Sequence, residues 1–260
     1  MNPLKENLAR VQEQIAVACQ RAGRRPHSVE LMAVSKTYPA ATIREAEALG
    51  LRLFGENRVQ EFAAKAPELE PLRATGTIAA SDAPILVHLI GHLQSNKAAR
   101  AVELFDAIDS VDSLKLAERI NDAAGKLGKH LPILLEVKLS TEETKAGLDP
   151  NAPETEELLD RLPDLRHLDM RGLMTIAPFG MPEAETRACF RALHACRDRW
   201  SLRHPRLKFD VLSMGMSGDF VLAIEEGATR VRIGTALFGK RPPTAAQLAE
   251  WPEEPEEPAS

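Results

Sequence analysis

Val29–Leu69 reads VELMAVSKTYPAATIREAEALGLRLFGENRVQEFAAKAPEL, and its hydrophobic period changes from segment to segment. Val29–Ser35 is a short apolar run rich in strand formers, and Pro39–Leu49 repeats its apolar residues at helical spacing. Arg52–Gly55 is again strand-like and Arg58–Leu69 again helical. Working outward, the same alternation predicts strands at Ile85–Ile90, Phe105–Asp109, Ile133–Lys138, His167–Met174, Lys208–Leu212 and Thr229–Ile233. Helices are predicted over Lys97–Glu103, Ser113–Leu127, Pro153–Leu162, Glu183–Arg203 and Ser217–Glu226. In Ser113–Leu127 the apolar stripe is Leu116, Ile120, Ala123 and Leu127. Strands alternating with helices indicate a parallel sheet with helical crossovers. Eight such strands in 260 residues fit a single TIM (β/α)8 barrel of the α/β class, which needs about 250 residues. An open doubly wound sheet fits less well, because no Gly-x-Gly-x-x-Gly turn follows the first strand.

Ahead of the barrel, Leu4, Leu8, Val11, Ile15 and Cys19 recur at helical spacing and predict an extra N-terminal amphipathic helix. That stretch lacks the apolar core and cleavage site of a secretory signal, and no apolar run reaches the length of a membrane span. The cysteines Cys19, Cys189 and Cys196 form no metal-ligand or disulfide pattern. Cys189, Leu193, Cys196 and Trp200 share a helical stripe and are expected in the core. A cytoplasmic protein is expected. The net charge of -5 argues against nucleic acid as a partner. Pro71–Pro84 reads as an exposed loop. Residues 1–240 are assigned to the barrel and 241–260 to an acidic, proline-rich tail that cannot build a core.

In such a barrel the chemistry belongs at the C-terminal ends of the strands. Lys36 follows the first strand on the face of Met32 and Val34, so it is predicted at the mouth of an apolar interior. Desolvation there favours the neutral amine that Schiff-base formation needs; the alternative is a lysine whose stem packs while its head reaches water. Ser217 precedes DFVLAIEEG and is predicted to cap that helix and offer backbone N–H groups to an anion. Gly234 and Thr235, after the last strand, add a close approach and a hydroxyl, as in the phosphate sites of many barrels. Arg232 shares the side of Gly234 and needs an acceptor, either on a ligand or on a carboxylate such as Asp219 or Glu225. GKLGK at Gly125–Lys129 lacks phosphate-loop spacing, and His88 with His92 lack the carboxylate that would complete a zinc motif.

Six motifs stand in order along the chain: AVSKT (Ala33–Thr37), FGENRVQE (Phe54–Glu61), HLIGHLQSNK (His88–Lys97), GLMTIAP (Gly172–Pro178), LSMGMSGDF (Leu212–Phe220) and VRIGTALFG (Val231–Gly239). In these the sequence resembles the pyridoxal phosphate homeostasis protein family, whose fold is like the barrel domain of alanine racemase. The resemblance implies a cofactor, pyridoxal 5′-phosphate, held as an aldimine on Lys36. It implies Arg232 beside the pyridine nitrogen, Asn57 lining the pocket, and phosphate contacts from Ser217, Gly234 and Thr235. Met216 and His88 fall near the site in the family pattern. Val87 and Lys138 depart from it, standing where a tryptophan and an asparagine are common.

The function expected is reversible binding, buffering or delivery of pyridoxal phosphate, with no dedicated catalytic activity and at most weak racemase-type turnover. Pyridoxal-dependent apo-enzymes are the expected recipients, and a monomer is expected because the racemase's dimerising second domain is not recognised. The alternative is an amino-acid racemase using Lys36 and a second acid/base residue, Tyr38 or His88. A third reading is a barrel enzyme that binds a sugar phosphate at Ser217, Gly234 and Thr235.

Overall fold

The computed structural model describes residues 2–74, 83–139 and 146–239. Eight parallel strands close in chain order: β1 (Glu30–Val34), β2 (Leu53–Glu56), β3 (Leu86–Leu89), β4 (Ala107–Val111), β5 (Leu131–Glu136), β6 (Leu168–Met174), β7 (Val211–Ser213) and β8 (Arg230–Ile233). Glu30 is level with Arg230 and Met32 with Arg232 where β8 meets β1. The crossovers carry α2 (Ala40–Ala48), α3 (Val59–Ala74), α4 (Ala98–Leu104), α5 (Leu114–Lys126), α6 (Pro153–Arg161), α7 (Glu183–Arg203) and α8 (Phe220–Glu225), and α9 (Thr235–Phe238) follows β8. The barrel expected from the sequence is therefore present.

Strand parity divides the core. Ala33 and Phe54 face outward into the large core between sheet and helices, whereas Met32, Val34, Leu53 and Ile90 form a separate cluster inside the barrel. Gly55 makes room for that cluster: a Cβ there would lie 2.8 Å from the Met32 sulfur and 2.9 Å from Ile90. The interior also holds charged side chains. Arg230 donates to Glu30 Oε2 (2.8 Å) and Asp109 Oδ2 (3.2 Å), and Asp109 Oδ1 meets His88 Nδ1 at 3.0 Å. Each of these buried charges has an opposite charge beside it, which offsets the cost of its desolvation.

The N-terminal helix α1 (Pro3–Arg21) forms as its periodicity requires. Asn2 caps it, its side chain accepting from the Leu4 and Lys5 amides, and Leu4, Leu8, Val11, Ile15 and Cys19 are all buried. It lies across α8 and α9, tied by Asn7 Nδ2 to Leu237 O (2.8 Å) and, just beyond its end, by Arg24 Nη1 to Ile224 O (3.0 Å). In α7 the stripe Cys189, Leu193, Cys196 and Trp200 is buried as expected.

Several sequence expectations are corrected. α3 runs to Ala74, so Pro71–Ala74 is helical rather than loop; buried Leu69 and Leu72 hold the helix against the core despite Pro67 and Pro71. The remainder of that predicted loop lies partly in 75–82, outside the described residues, as does the predicted tail 241–260. Leu127 is not part of the buried α5 stripe: it is the C-cap residue and is 47% exposed. β4 begins two residues late, because Phe105 still bonds to Ala101 O at the end of α4. β7 is Val211–Ser213 instead of Lys208–Leu212, since Lys208 turns out to Asp169 on the surface (3.2 Å).

Candidate functional site

A cavity of about 580 Å³ opens at the C-terminal ends of the strands. Lys36, Asn57, Met216, Ser217, Arg232, Gly234 and Thr235 all line it. Seven positions separated by up to 199 residues in the chain thus share one opening, because the closed sheet brings every strand end to one rim.

Lys36 leaves β1 with the parity of Met32 and Val34 and is half-buried beside Val34 in the cavity wall. Its turn is unusual. Tyr38 N donates to Ser35 O (3.1 Å), which makes Ser35–Tyr38 a β-turn. The third residue of that turn, Thr37, has φ 71°, where a type II turn normally uses glycine. Such a conformation costs a β-branched residue roughly 1–3 kcal/mol, and it persists because surrounding groups hold it. The Thr37 amide donates to Glu61 Oε1, and Lys65 Nζ donates to that same oxygen (2.8 Å), to Glu56 Oε1 (3.0 Å) and to Ser35 O (3.2 Å). Ser35 Oγ donates to Glu56 Oε1 (2.7 Å). Burial pushes the Glu56 carboxyl up, with Lys65 and Ser35 pulling against it. Burial also acts to raise Glu61, but the bonds from Lys65 and Thr37 outweigh it and hold that carboxyl below its usual range. This group escaped the sequence reading, although Glu56 and Glu61 lie inside FGENRVQE and Lys65 follows Glu61 at i,i+4, a spacing that sequence alone displays.

Arg232 is buried at 4% exposure and donates to Ser213 O (2.7 Å), Ser213 Oγ (2.9 Å) and Thr175 O (2.8 Å). It makes no ion pair with Asp219 or Glu225, the carboxylates weighed from the sequence: Glu225 serves Arg187 at 2.6 Å, and Asp219 accepts from Met216 N at 2.6 Å. Two guanidinium N–H groups, Nε and the second on Nη2, have no acceptor among the described residues. Burial lowers the Arg232 pKa, opposed by Asp109, Glu136 and Asp219. Burial likewise raises the Asp219 carboxyl.

Ser217 does not cap α8. That helix starts at Phe220 with Asp219 at its N-cap position, because the Asp219 side chain turns back to the Met216 amide. The Ser217 hydroxyl instead accepts from Ala236 N (3.2 Å) at the start of α9, joining the two loops that the sequence placed together. The backbone N–H groups of Ser217, Gly218 and Thr235 have no acceptor among the described residues.

Asn57 follows β2, and its buried Oδ1 receives no hydrogen bond. Its backbone is pressed against Gly91, where a Cβ would meet the Asn57 carbonyl oxygen at 2.2 Å. Opposite the polar groups, Ile90, Ile176, Pro178, Phe179, Met181 and Leu222 form an apolar wall, with Phe179 fully exposed at its edge. The loop carrying most of this wall contributed only its GLMTIAP motif to the sequence reading.

Two residues weighed as acid/base groups do not line the cavity. The Tyr38 hydroxyl donates to Gly239 O (3.0 Å) and its ring lies against Phe238, 5.0 Å between centroids. His88 lies deeper in the barrel on Asp109. Burial acts to raise Asp109, but His88 and then Arg230 and Arg232 hold it below its ordinary value. No cluster of metal-ligating side chains occurs among the described residues, and none of their helices is long and apolar enough to cross a membrane.

The family model "Alanine racemase, N-terminal domain" matches residues 7–242. The pyridoxal phosphate homeostasis protein of Pseudomonas aeruginosa is 44% identical, over 93% of this chain and 97% of its own. That of Aquifex aeolicus is 41% identical, over 91% and 97%. The structure of PipY from Synechococcus elongatus with pyridoxal phosphate bound is similar at TM-score 0.77 and 46% identity, covering 91% of this chain and all of that one. Alanine racemase of Clostridium difficile, at 17% identity and TM-score 0.66, shares the fold over 57% of its length. The chain therefore belongs to the pyridoxal phosphate homeostasis protein family, built on the barrel of the alanine racemase N-terminal domain.

Proposed function

We propose that this protein reversibly holds pyridoxal 5′-phosphate through the Lys36 amine, as a carrier or buffer of that cofactor in the cytoplasm. The observation that carries the reading is the convergence of Lys36, Arg232 and the Ser217 and Thr235 loops on one cavity. The names of the curated relatives and the cofactor bound in PipY support it.

The donor and acceptor set fits the group. Unused backbone amides at Ser217, Gly218 and Thr235 suit a phosphate dianion, as neutral donors do at helix starts and nests. The unpaired Asn57 Oδ1 suits a ring hydroxyl, which donates. The spare Arg232 N–H groups suit a pyridine nitrogen as acceptor, and an arginine there leaves that nitrogen without a proton. When bound, the cofactor supplies an aldehyde that condenses with a primary amine: a C=N bond forms, the C=O bond breaks, and its oxygen leaves as water with two amine protons. Lys36 provides the amine, and Val34 and Ile90 beside it limit its hydration.

The racemase alternative needs a second acid/base group facing Lys36. Tyr38 and His88 are committed elsewhere, and of the other titratable residues on the cavity wall, Glu183 pairs with Arg187 (2.8 Å) and Asp219 with the Met216 amide. A carrier without dedicated turnover, acting as a monomer and passing its cargo to pyridoxal-dependent apo-enzymes, agrees better with that arrangement. Incubation with pyridoxal phosphate and then borohydride should leave a reduced adduct on the Lys36 peptide, absent in Lys36→Ala, as read by mass spectrometry. α-Hydrogen exchange of amino acids in deuterium oxide should not exceed that of the free cofactor. An adduct confined to other lysines, or stereospecific exchange lost in Tyr38→Phe, defeats the reading.

A further inference from the structure

We infer that Glu61, supported by Lys65 and Glu56, is a positioning residue that holds the Lys36 turn in its strained form and so aims the Lys36 amine into the cavity. The inference rests on the reading of Lys36 given above. Its observations are separate from those that support that reading, because none of the three side chains lines the cavity.

Both neighbours of Lys36 are gripped. Ahead of it, Ser35 is fully buried, its carbonyl accepting from Lys65 (3.2 Å) and its hydroxyl donating to Glu56 (2.7 Å). Behind it, Thr37 is the single non-glycine residue with positive φ among the described residues, and its amide donates to Glu61. Lys65 ties the two grips into one unit, because its ammonium bonds Glu61 at 2.8 Å and both Glu56 oxygens at 3.0 and 3.2 Å. A carboxylate accepting a backbone N–H is one of the stronger hydrogen bonds in proteins. Here it replaces the glycine that the turn would otherwise require. Released from Glu61, Thr37 relaxes to negative φ, the peptide on the far side of Lys36 turns over, and the amine leaves its approach to the reacting carbon. A displacement of about 1 Å at such a point is enough to cost about a hundredfold in rate.

The test uses the full chain and separates binding from attachment. Pyridoxine 5′-phosphate, which lacks the aldehyde, reports reversible binding, and borohydride-trapped attachment of pyridoxal 5′-phosphate reports the Lys36 reaction. In Glu61→Ala, attachment should slow by between about ten and a hundredfold, while the affinity for pyridoxine 5′-phosphate changes less than about twofold. Glu61→Gln, which keeps an acceptor for the Thr37 amide, should recover most of the rate. In the Thr37→Gly background the same Glu61→Ala change should cost less than about threefold, since glycine adopts positive φ unaided.

Slowing below about threefold, slowing that Gln does not relieve, or an equal loss of pyridoxine phosphate binding overturns the inference, as does undiminished dependence on Glu61 in the glycine background. If Glu61→Ala does not fold alone, the glycine-background pair decides. A wild-type protein that attaches nothing at Lys36 defeats the carrier reading; normal attachment that is indifferent to Glu61 defeats only this inference.

Discussion

A single hydrogen atom at Gly91 sets the position of Asn57. Any side chain there would collide with the Asn57 carbonyl, and backbone cannot yield as a flexible side chain would. Ser110 Oγ, donating to Gly91 O at 2.7 Å, fixes the loop from the other side. Gly91→Ala should therefore destabilise the fold by about 1–3 kcal/mol through overpacking, seen as a lower urea midpoint at unchanged slope. It should also weaken pyridoxal phosphate binding about tenfold, because the displaced Asn57 no longer offers its free acceptor. Val87→Ala, a buried change outside the cavity, serves as the control: it should cost stability with little effect on binding. At this scale the sequence was informative about which residues line the cavity. It was silent on Gly91, since a close approach between two loops leaves no periodic trace.

Helix α1 is outside the repeating strand–helix pattern, yet it bears on the site. Its buried stripe covers α8 and α9, the elements that follow the Ser217 and Gly234 loops. Leu8→Ala should remove about 2–4 kcal/mol of stability by opening a void at that seam. The Ser217 and Gly234 loops should loosen with it, so exchange of their hydrogen-bonded amides, Asp219, Phe220 and Ala236, should accelerate more than at β4 and β5. Uniform acceleration, or none, would show that α1 does not support those loops. The stripe was legible in the sequence because burial of one helical face imposes its own period. What α1 covers was not, because residue spacing names a face and not its partner.

The barrel encloses charged side chains, among them Asp109, Glu136, Arg230 and Arg232, and this gives its stability a pH dependence. Burial first, and then the Asp112 carboxylate, push Glu136 above its ordinary range, against Arg232 and His92. The folded state thus binds a proton at Glu136 more readily than the unfolded chain, so this residue's contribution is most favourable below the unfolded value of about 4.5 and is lost as pH rises through the raised folded value. Asp109 acts oppositely: its lowered pKa contributes stability above the unfolded value, lost as pH falls through the folded one. Glu136→Gln should therefore raise the melting temperature at pH 8 by about 2–4 °C, equivalent to about 1 kcal/mol for a chain of this size, with little change at pH 4. A gain that is the same at both pH values would remove burial of the charge as the cause. A group of this kind is invisible in the linear chain, where Glu136 is one more residue at a strand end.

By itself the sequence determined the strand–helix order, the closed barrel, the N-terminal helix and seven of the residues that line the cavity. Each of these follows from local periodicity, from the parity of a strand, or from a motif that keeps its residues together. Tertiary structure alone decided that Ser217 serves α9 instead of α8, that Arg232 rests on Thr175 and Ser213, and that Tyr38 turns away from the opening. It also decided that Glu56, Glu61 and Lys65 converge on the turn at Lys36. A hydrogen bond between distant segments depends on how strand ends are set around a closed ring, and neighbours along the chain carry no record of that spacing.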